Sequence, residues 1–471
     1  MDIAVIKKLI DNAMNEHNKF VTKVKVGERY YSNNNDITYI KSPSNNSVPD
    51  TSENPLRNAD NRIPFNWHGF LVNQKASYMF TYTPTFDVGD DNVNSSITDI
   101  LGDSYPKVSK TLCVNASNGG VSWLHVWKNV DNEFKYAVVD SKQIIAVYSN
   151  DLEKKLIAIL RVYDIKDEEA KDITIYEYWT DKECYAFRSD KGLTTNLSIH
   201  SMFTKTNLDT GMSEQVNVFT HDFGEVPFIE FPNNDLKTSD LDNVKALIDT
   251  YDKVFSGFVN DIEDIQEVIF VLTNYGGTDL DEFLGNLKRY KTVDMQNSGP
   301  DDKSGLSTIT IDIPVEARNK LLEMTEKKIY IQGQGVDPNP EKFGNASGVA
   351  LKYLYTLLEL KAGLMETEFR LAFGKLIRMI CRHLGYKPKS ITQTWTRNKK
   401  QNELETSQIA NNSKDVISDK SILKNHPWVD NAEQEEQELI EQSKRKLEEQ
   451  QKAFGSYTFK QGNDVDGQEE D

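Results

Sequence analysis

Gly333-Gln-Gly-Val-Asp-Pro-Asn-Pro-Glu-Lys-Phe-Gly-Asn-Ala-Ser-Gly348 decides how this chain is put together, because helical patterns lie on both sides and no helix can cross it. Pro338 and Pro340 lack the amide donor that a helix interior needs, and Gly333, Gly335, Gly344 and Gly348 favour turns and left-handed geometry. The chain must leave one helix, project, and enter another. Beyond the break, Ala346, Ala350, Tyr353, Leu354, Leu357, Leu358, Leu364, Met365, Phe369, Phe373, Leu376, Ile377 and Ile380 recur at three- and four-residue steps, which predicts one long amphipathic helix over 346–385. Asn345 or Ser347 is placed to cap its start, and Gly385 followed by Pro388 to end it.

Before the break lies a second strong pattern. Leu241, Val244, Ile248, Tyr251, Phe255, Phe258, Ile262, Ile265 and Ile269, with Leu272 beyond them, keep a three-four rhythm over roughly four heptads, which predicts a helix with one narrow seam against a long neighbour. Ser239 and Asp242 are spaced as a capping box at its start. Asp240, Asp242, Asp249, Asp252, Asp261, Glu263, Asp264 and Glu267 lie off the seam, as expected of a solvated face. A compact insert, 274–313, follows, with a short helix around Leu280, Phe283, Leu284 and Leu287 and a strand over 307–313. A further helix then starts at Pro314, a residue favoured in a first turn, and runs to Gln332.

The N-terminal half has a different texture. Ile3, Ile6, Leu9, Ile10 and Ala13 predict a helix over 2–20, a polar stretch over 32–61 reads as loop, and Trp67, Leu71, Tyr78 and Met79 predict a helix from about Asn66. From 111 to 231 the period becomes two, with strands expected over 121–127, 135–139, 144–148, 156–163, 173–179 and 183–187 in a mostly antiparallel region. After Pro388 come a possible strand over 390–397, polar helices over 404–409 and 418–423, a charged helix over 433–451, and a tail whose composition predicts disorder.

Composition narrows the function. A 471-residue chain with 38% hydrophobic residues has enough apolar material for several cores. Three scattered cysteines, Cys113, Cys184 and Cys381, fit a reducing compartment. No apolar run is long enough to span a bilayer and no signal-peptide pattern opens the chain, so a soluble protein made inside a cell is expected. A formal net charge of −18 argues against tight general binding of nucleic acid, which depends on Lys and Arg displacing counterions. It is compatible with a wall that DNA passes without being gripped. There is no phosphate-binding loop, no zinc-protease, serine-hydrolase or Cys-x-x-Cys motif, and the seven histidines are dispersed. No catalytic residue, metal site or cofactor is therefore expected. Acidic pairs such as Asp261 with Asp264 leave an acidic metal-dependent nuclease as a remote alternative.

The order of parts, with local sequence, resembles the SPP1-like portal family of tailed bacteriophages. The resemblance is carried by Glu225-Val-Pro-Phe-Ile-Glu-Phe-Pro-Asn-Asn234, Leu247-Ile-Asp-Thr-Tyr-Asp-Lys-Val-Phe-Ser256, Asn260-Asp-Ile-Glu263, Ser347-Gly-Val-Ala350, Leu358-Glu-Leu-Lys-Ala362, Trp395-Thr-Arg-Asn398, Ile417-Ser-Asp-Lys420 and His426-Pro-Trp-Val-Asp430. Each is short; together they run in order along nearly the whole chain. The resemblance implies an α+β, multidomain portal fold. Its parts would be a mixed α/β wing (1–238), a first stem helix (239–273), a small α/β clip (274–313), a second stem helix (314–332), a tunnel loop (333–345), a long bridging helix (346–385), a mainly helical crown (386–451) and a tail (452–471).

It further implies a non-enzymatic ring of about a dozen subunits at one capsid vertex, through which double-stranded DNA is packaged, retained and ejected, independent of sequence. The implied partners are the terminase, scaffold or capsid protein and a head-tail adaptor, with no membrane. The protein would be found in the virion, and in host cytoplasm during assembly. Gln334, Asp337, Asn339, Glu341, Lys342 and Asn345 would face the DNA from the tunnel loop, Lys342 as the loop's cation. The seam residues would pack helices or subunits, and Asp281, Glu282, Lys288 and Arg289 would face partners from the clip. A ring-forming helical adaptor that passes no DNA is the nearer alternative.

Overall fold

The computed structural model describes residues 2–39, 59–166, 169–190, 196–206, 211–265, 269–273, 305–309, 314–339, 348–398, 403–414, 416–424, 426, 429 and 432–455. They fall into two compact units, one made of 1–337 with 355–398 and the other of 338–354 with 399–471.

The first unit opens on helix α1 (Ile3–Tyr31), capped by the Asp2 carboxylate. It is longer than the apolar pattern to Ala13 suggests, because its second half buries Val24, Gly27 and Tyr30 among mostly polar neighbours. Gly27 lets helix α4 (Tyr105–Gly119) come close: a Cβ there would meet the Asn118 carbonyl oxygen at 2.2 Å. Helix α2 (Trp67–Phe80) starts at Asn66 as expected, the Asn66 side chain accepting from the Gly69 amide. Between them in sequence come β1 (Thr85–Asp87) and α3 (Asp91–Leu101), the latter capped by Asp90. Neither α3 nor α4 is expected from the sequence pattern, and the expected start of the sheet region at 111 falls inside α4.

The strands follow the alternating run closely. β2 (Val121–Lys128), β3 (Phe134–Val139) and β12 (Phe228–Pro232) form a three-stranded sheet in the order β12-β2-β3. β4 (Ile144–Tyr148), β5 (Leu156–Lys166), β6 (Asp172–Trp179), β7 (Glu183–Asp190) and β11 (Val218–Thr220) form a larger one, with β8 (Ser198–Ile199) added on β7. β9 (Phe203–Thr206) and β10 (Ser213–Val216) pair separately, and every pairing is antiparallel. One face of the large sheet buries Ile145, Leu160, Tyr176 and Phe187 against Ile6 and Ile10 of α1. Trp123, Ile159, Trp179 and Phe228 build a second core between the sheets.

After β12 the chain makes a short turn and enters helix α5 (Lys245–Ile265). Ser239 and Asp242 do bond, but in one direction only, the Ser239 amide and hydroxyl both donating to the carboxylate at 3.0 Å. They cap the turn rather than the helix itself, which begins three residues later. Nor does the helix run on through the expected seam. Residues Ile269–Thr273 form strand β13, antiparallel to β14 (Gly305–Ile309). Two β-branched or aromatic neighbours at Ile269 and Phe270 followed by Val271 favour strand, and the 3.5-residue rhythm cannot distinguish a short apolar strand from one more helical turn. Helix α6 (Val315–Gln332) starts after Pro314, and helix α7 (Gly348–His383) ends on a left-handed Gly385. β15 (Thr392–Thr394) pairs with β1, so residues up to 398 belong to the first unit, twelve residues past the expected crown boundary at 386.

The second unit contains α8 (Glu403–Asn412), α9 (Asp419–Lys424) and the exposed, charged α10 (Ala432–Gly455), as the polar pattern predicts. Among the described residues no helix is long and apolar enough to cross a membrane.

Candidate functional site

The chain between α6 and α7 leaves from a buried root. Gly333 and Gly335 are both buried because a side chain there has no room: a Cβ would lie 2.5 Å and 2.3 Å from the two terminal carbons of Leu71. Gln334 between them takes a left-handed φ of 52°. The Gly335 amide donates to the Tyr330 carbonyl at 2.9 Å, closing the helix end. Val336 is buried, and the Gln74 side chain of α2 holds its backbone from both sides, donating to the carbonyl at 2.7 Å and accepting from the amide at 2.7 Å. The last carbonyls of a helix lack partners within it; here the Gly333 carbonyl accepts from Lys361 Nζ at 3.0 Å, a contact reaching across from α7.

Lys361 belongs to a buried charged group. Its ammonium lies 3.1 Å from Asp240 Oδ2, and Lys75 Nζ lies 2.7 Å from the same oxygen. Asn233 ties the set together, accepting from Lys75 at 2.7 Å and donating to Asp240 Oδ1 at 2.9 Å. Burial pushes the Asp240 carboxyl up, but Lys361 and Lys75 outweigh it and hold it well below the usual carboxylate range. Burial draws the Lys361 ammonium down, only partly offset by Asp240. Nearby His68, which contacts Asn118 at 2.9 Å, is pushed by burial down to about 4 and is neutral at physiological pH. A cavity of about 580 Å³ opens beside this group, lined by Asn243, Ile331, Gln332, Gln334 and Leu364 among others. Asn233 and Lys361 each sit in a stretch that carries the family resemblance, and the fold brings those two stretches together here.

The acidic face of α5 is not simply solvated. An extended strap, 61–65, runs antiparallel along it. The Asn61 amide donates to Asn260 Oδ1 at 2.6 Å, the Ile63 amide to Ser256 Oγ at 3.0 Å and the Phe65 amide to Asp252 Oδ1 at 3.0 Å. Pro64, with no amide hydrogen, sits at a position that faces away from this ladder. The Phe65 ring packs edge-on against Tyr251 and Phe255, centroids 4.9 and 4.8 Å away. Asp249 pairs with Lys245 and accepts from the Tyr30 hydroxyl, Asp242 pairs with Lys23, and Asp261 pairs with Arg318 of α6. The carboxylate on which a nuclease would have depended is thus engaged by a guanidinium.

Asp252 is fully buried, and burial pushes its carboxyl up to about 6 despite the bonds from Asn35 and the Phe65 amide. Because the folded value lies above that of the unfolded chain, the native state holds this proton more tightly. The group therefore favours folding at low pH, and that contribution declines as pH rises from about 4 through about 6, by on the order of 2 kcal/mol. The expected result is that wild type loses stability relative to Asp252→Asn over that range, measured by denaturant unfolding. A difference that stays flat with pH would overturn the assignment.

The predicted seam divides. Leu241, Val244 and Ile248 are buried inside this chain against Tyr30, Leu71, Ile329 and Tyr330, with Tyr251 partly covered beside them. In this half the packing comes from within the chain, from α1, α2 and α6. Phe255 and Phe258 are half-buried, the latter under Arg318, and Ile262 is 47% exposed. Ile265 ends the helix and Ile269 lies in β13. Of the loop residues, Gln334 belongs to the root, Asp337 is half-buried and Asn339 is exposed. Glu341, Lys342 and Asn345, and the clip residues Asp281, Glu282, Lys288 and Arg289, lie outside the described residues. Gln74 falls in the pattern of the helix from Asn66 and Lys361 in a stretch that carries the resemblance, but nothing in the sequence marks these two or Lys75 as anchors, because a lysine or glutamine on a helix reads as surface.

The model of the family described as phage portal protein, SPP1 Gp6-like, matches residues 10–452 of this chain. The chain is 44% identical over 430 residues to the portal protein of Clostridium phage phiCD119, covering 88% of this chain and 91% of that one. It is 28% identical over 485 residues to the portal protein of Bacillus phage SPP1, covering 100% of this chain and 91% of the relative.

Proposed function

The chain belongs to the SPP1 Gp6-like family of phage portal proteins, which is structural and not enzymatic, and from that premise we propose that it forms a ring of about a dozen subunits at one capsid vertex. Double-stranded DNA passes through the ring during packaging, is retained, and leaves by the same route. The terminase docks during packaging, and head-tail connector proteins replace it. In this assignment residues 1–238 are the wing, α5 and α6 the stem, β13 and β14 the base of the clip, 333–345 the tunnel loop, α7 the bridging helix, and the second unit most of the crown. The match over 10–452 carries the reading.

Two features support a ring. Leu360, Leu364 and Leu371 stand exposed on one face of α7, and Leu321, Met324 and Ile331 stand exposed on α6. Apolar stripes on long helices are costly in a lone subunit and suit side-by-side neighbours. The loop between the two helices leaves from a fixed base, as an element that must protrude into a channel requires.

Electron microscopy of the purified protein is expected to show rings with a central hole; monomers without one would overturn the proposal. Lys342→Glu is expected to leave the rings intact while lowering packaged or retained DNA severalfold, since a carboxylate repels the phosphates that an ammonium attracts. Loss of ring assembly in that variant would show that the loop has another role.

A further inference from the structure

We propose that Lys361 and Gln74 are positioning residues that make the root of the tunnel loop, 333–336, part of the first unit, so that the loop's base follows α7 and α2. The inference rests on the portal reading. It is drawn from contacts that a loop free to swing at its base would not have. Four successive residues are each held: Gly333 by Lys361 at its carbonyl, Gln334 by a left-handed turn, Gly335 by the Tyr330 carbonyl, and Val336 by the paired contacts of Gln74.

The Lys361 contact is the one that couples elements. Its ammonium joins the C-terminal end of α6 to Asp240, at the threshold of α5, and through Asp240 to Lys75 of α2. A cation at a helix C-terminus is favourable in its own right. Here the cation comes from a different helix, so an axial shift of α7 relative to α6 must either carry Gly333 with it or leave a buried carbonyl and a buried ammonium without each other. Either outcome ties the loop's base to the position of the long helix. Leu71 adds a steric limit, filling the space beside Gly333 and Gly335.

The test uses full-length rings and a packaging reaction with the cognate terminase, ATP and double-stranded DNA. Hydrogen exchange comes first. In wild-type rings the Gly335 and Val336 amides are expected to exchange slowly. Gln74→Leu is expected to speed Val336 about tenfold, the equivalent of one net hydrogen bond, without changing exchange in α7. Wild-type amides that exchange as fast as those of an unstructured peptide would overturn the anchor, whether or not any variant folds. In the packaging arm, Gln74→Leu and Lys361→Met are each expected to form rings yet retain severalfold less DNA than wild type, with thermal midpoints of the rings unchanged for Gln74→Leu. Normal retention by a Gln74→Leu ring whose Val336 amide has been freed would overturn the positioning role. Failure of wild-type rings to support packaging at all would instead overturn the portal reading.

Discussion

Asp240→Leu is expected to destabilise the protein by about 3–5 kcal/mol, because it leaves two buried ammoniums facing each other without a counter-charge. Both lysines are almost entirely shielded from water, and Asp240 Oδ2 lies 2.7 Å from one and 3.1 Å from the other. The loss does not come from side-chain volume, since leucine fills much of the same space. It comes from desolvated charge, which the remaining Asn233 carbonyl oxygen cannot neutralise. Replacing the whole set, Asp240→Leu with Lys75→Met and Lys361→Met, is accordingly expected to recover roughly half of the loss or more, the strong non-additivity typical of a shared network. Denaturant unfolding of the three variants at matched protein concentration checks this. A triple variant less stable than Asp240→Leu alone would show that the lysines stabilise through contacts other than the ion pairs.

Phe369→Ala is expected to cost about 3–5 kcal/mol by the same measurement. The Phe369 ring is fully buried where α7 crosses two other elements, with centroids 5.7 Å from Phe80 of α2 and 5.0 Å from Phe231 of β12. Phe373, one turn further along α7, touches Phe231 as well, at 5.0 Å. Rings locked from three sides cannot relax into the space a truncation leaves, so the full cavity cost is felt. Leu371, only two residues away but 70% exposed, is the internal comparison. Leu371→Ala is expected to change subunit stability by less than about 0.5 kcal/mol while weakening ring assembly, seen as a shift toward smaller species in sedimentation. Equal effects of the two substitutions on stability would mean that α7 is covered on both faces within one subunit.

Much of the fold is legible in the residues, and the exceptions have physical causes. The strands from Val121 to Asp190 declare themselves because one face of each is buried and the side-chain period is two. The helix at Asn66 and the break at Gly333 are equally plain, since capping and proline chemistry act locally. α4 is missed because its buried positions include Ser109, Ser117 and Asn118, polar residues that interrupt the apolar pattern, and the Asn118 contact to His68 lies on another helix; only the Asp90 cap and the spacing Val93, Ile97, Leu101 point to α3. The strap at 61–65 leaves no periodic mark, because it is held through its backbone by side chains of another element. It also changes the meaning of Asp252, which reads as part of a solvated face. The anchor at the loop root depends on a lysine and a glutamine that only tertiary packing distinguishes from dozens of surface equivalents.

The strap along α5 has a mechanical consequence. Its amides engage the helix at Asn260, Ser256 and Asp252, every second residue of one chain meeting every fourth of the other. Two extended residues advance about 6.6 Å and four helical residues about 6.0 Å, close enough to match over two steps but not over many more. Two scales of nearly equal pitch form a vernier: they agree at one setting only. A slip of the helix by a single residue, about 1.5 Å, misaligns all three bonds at once. Axial load on the stem therefore meets a detent and not a smooth spring, holding its position until the load is large enough to break the three bonds together.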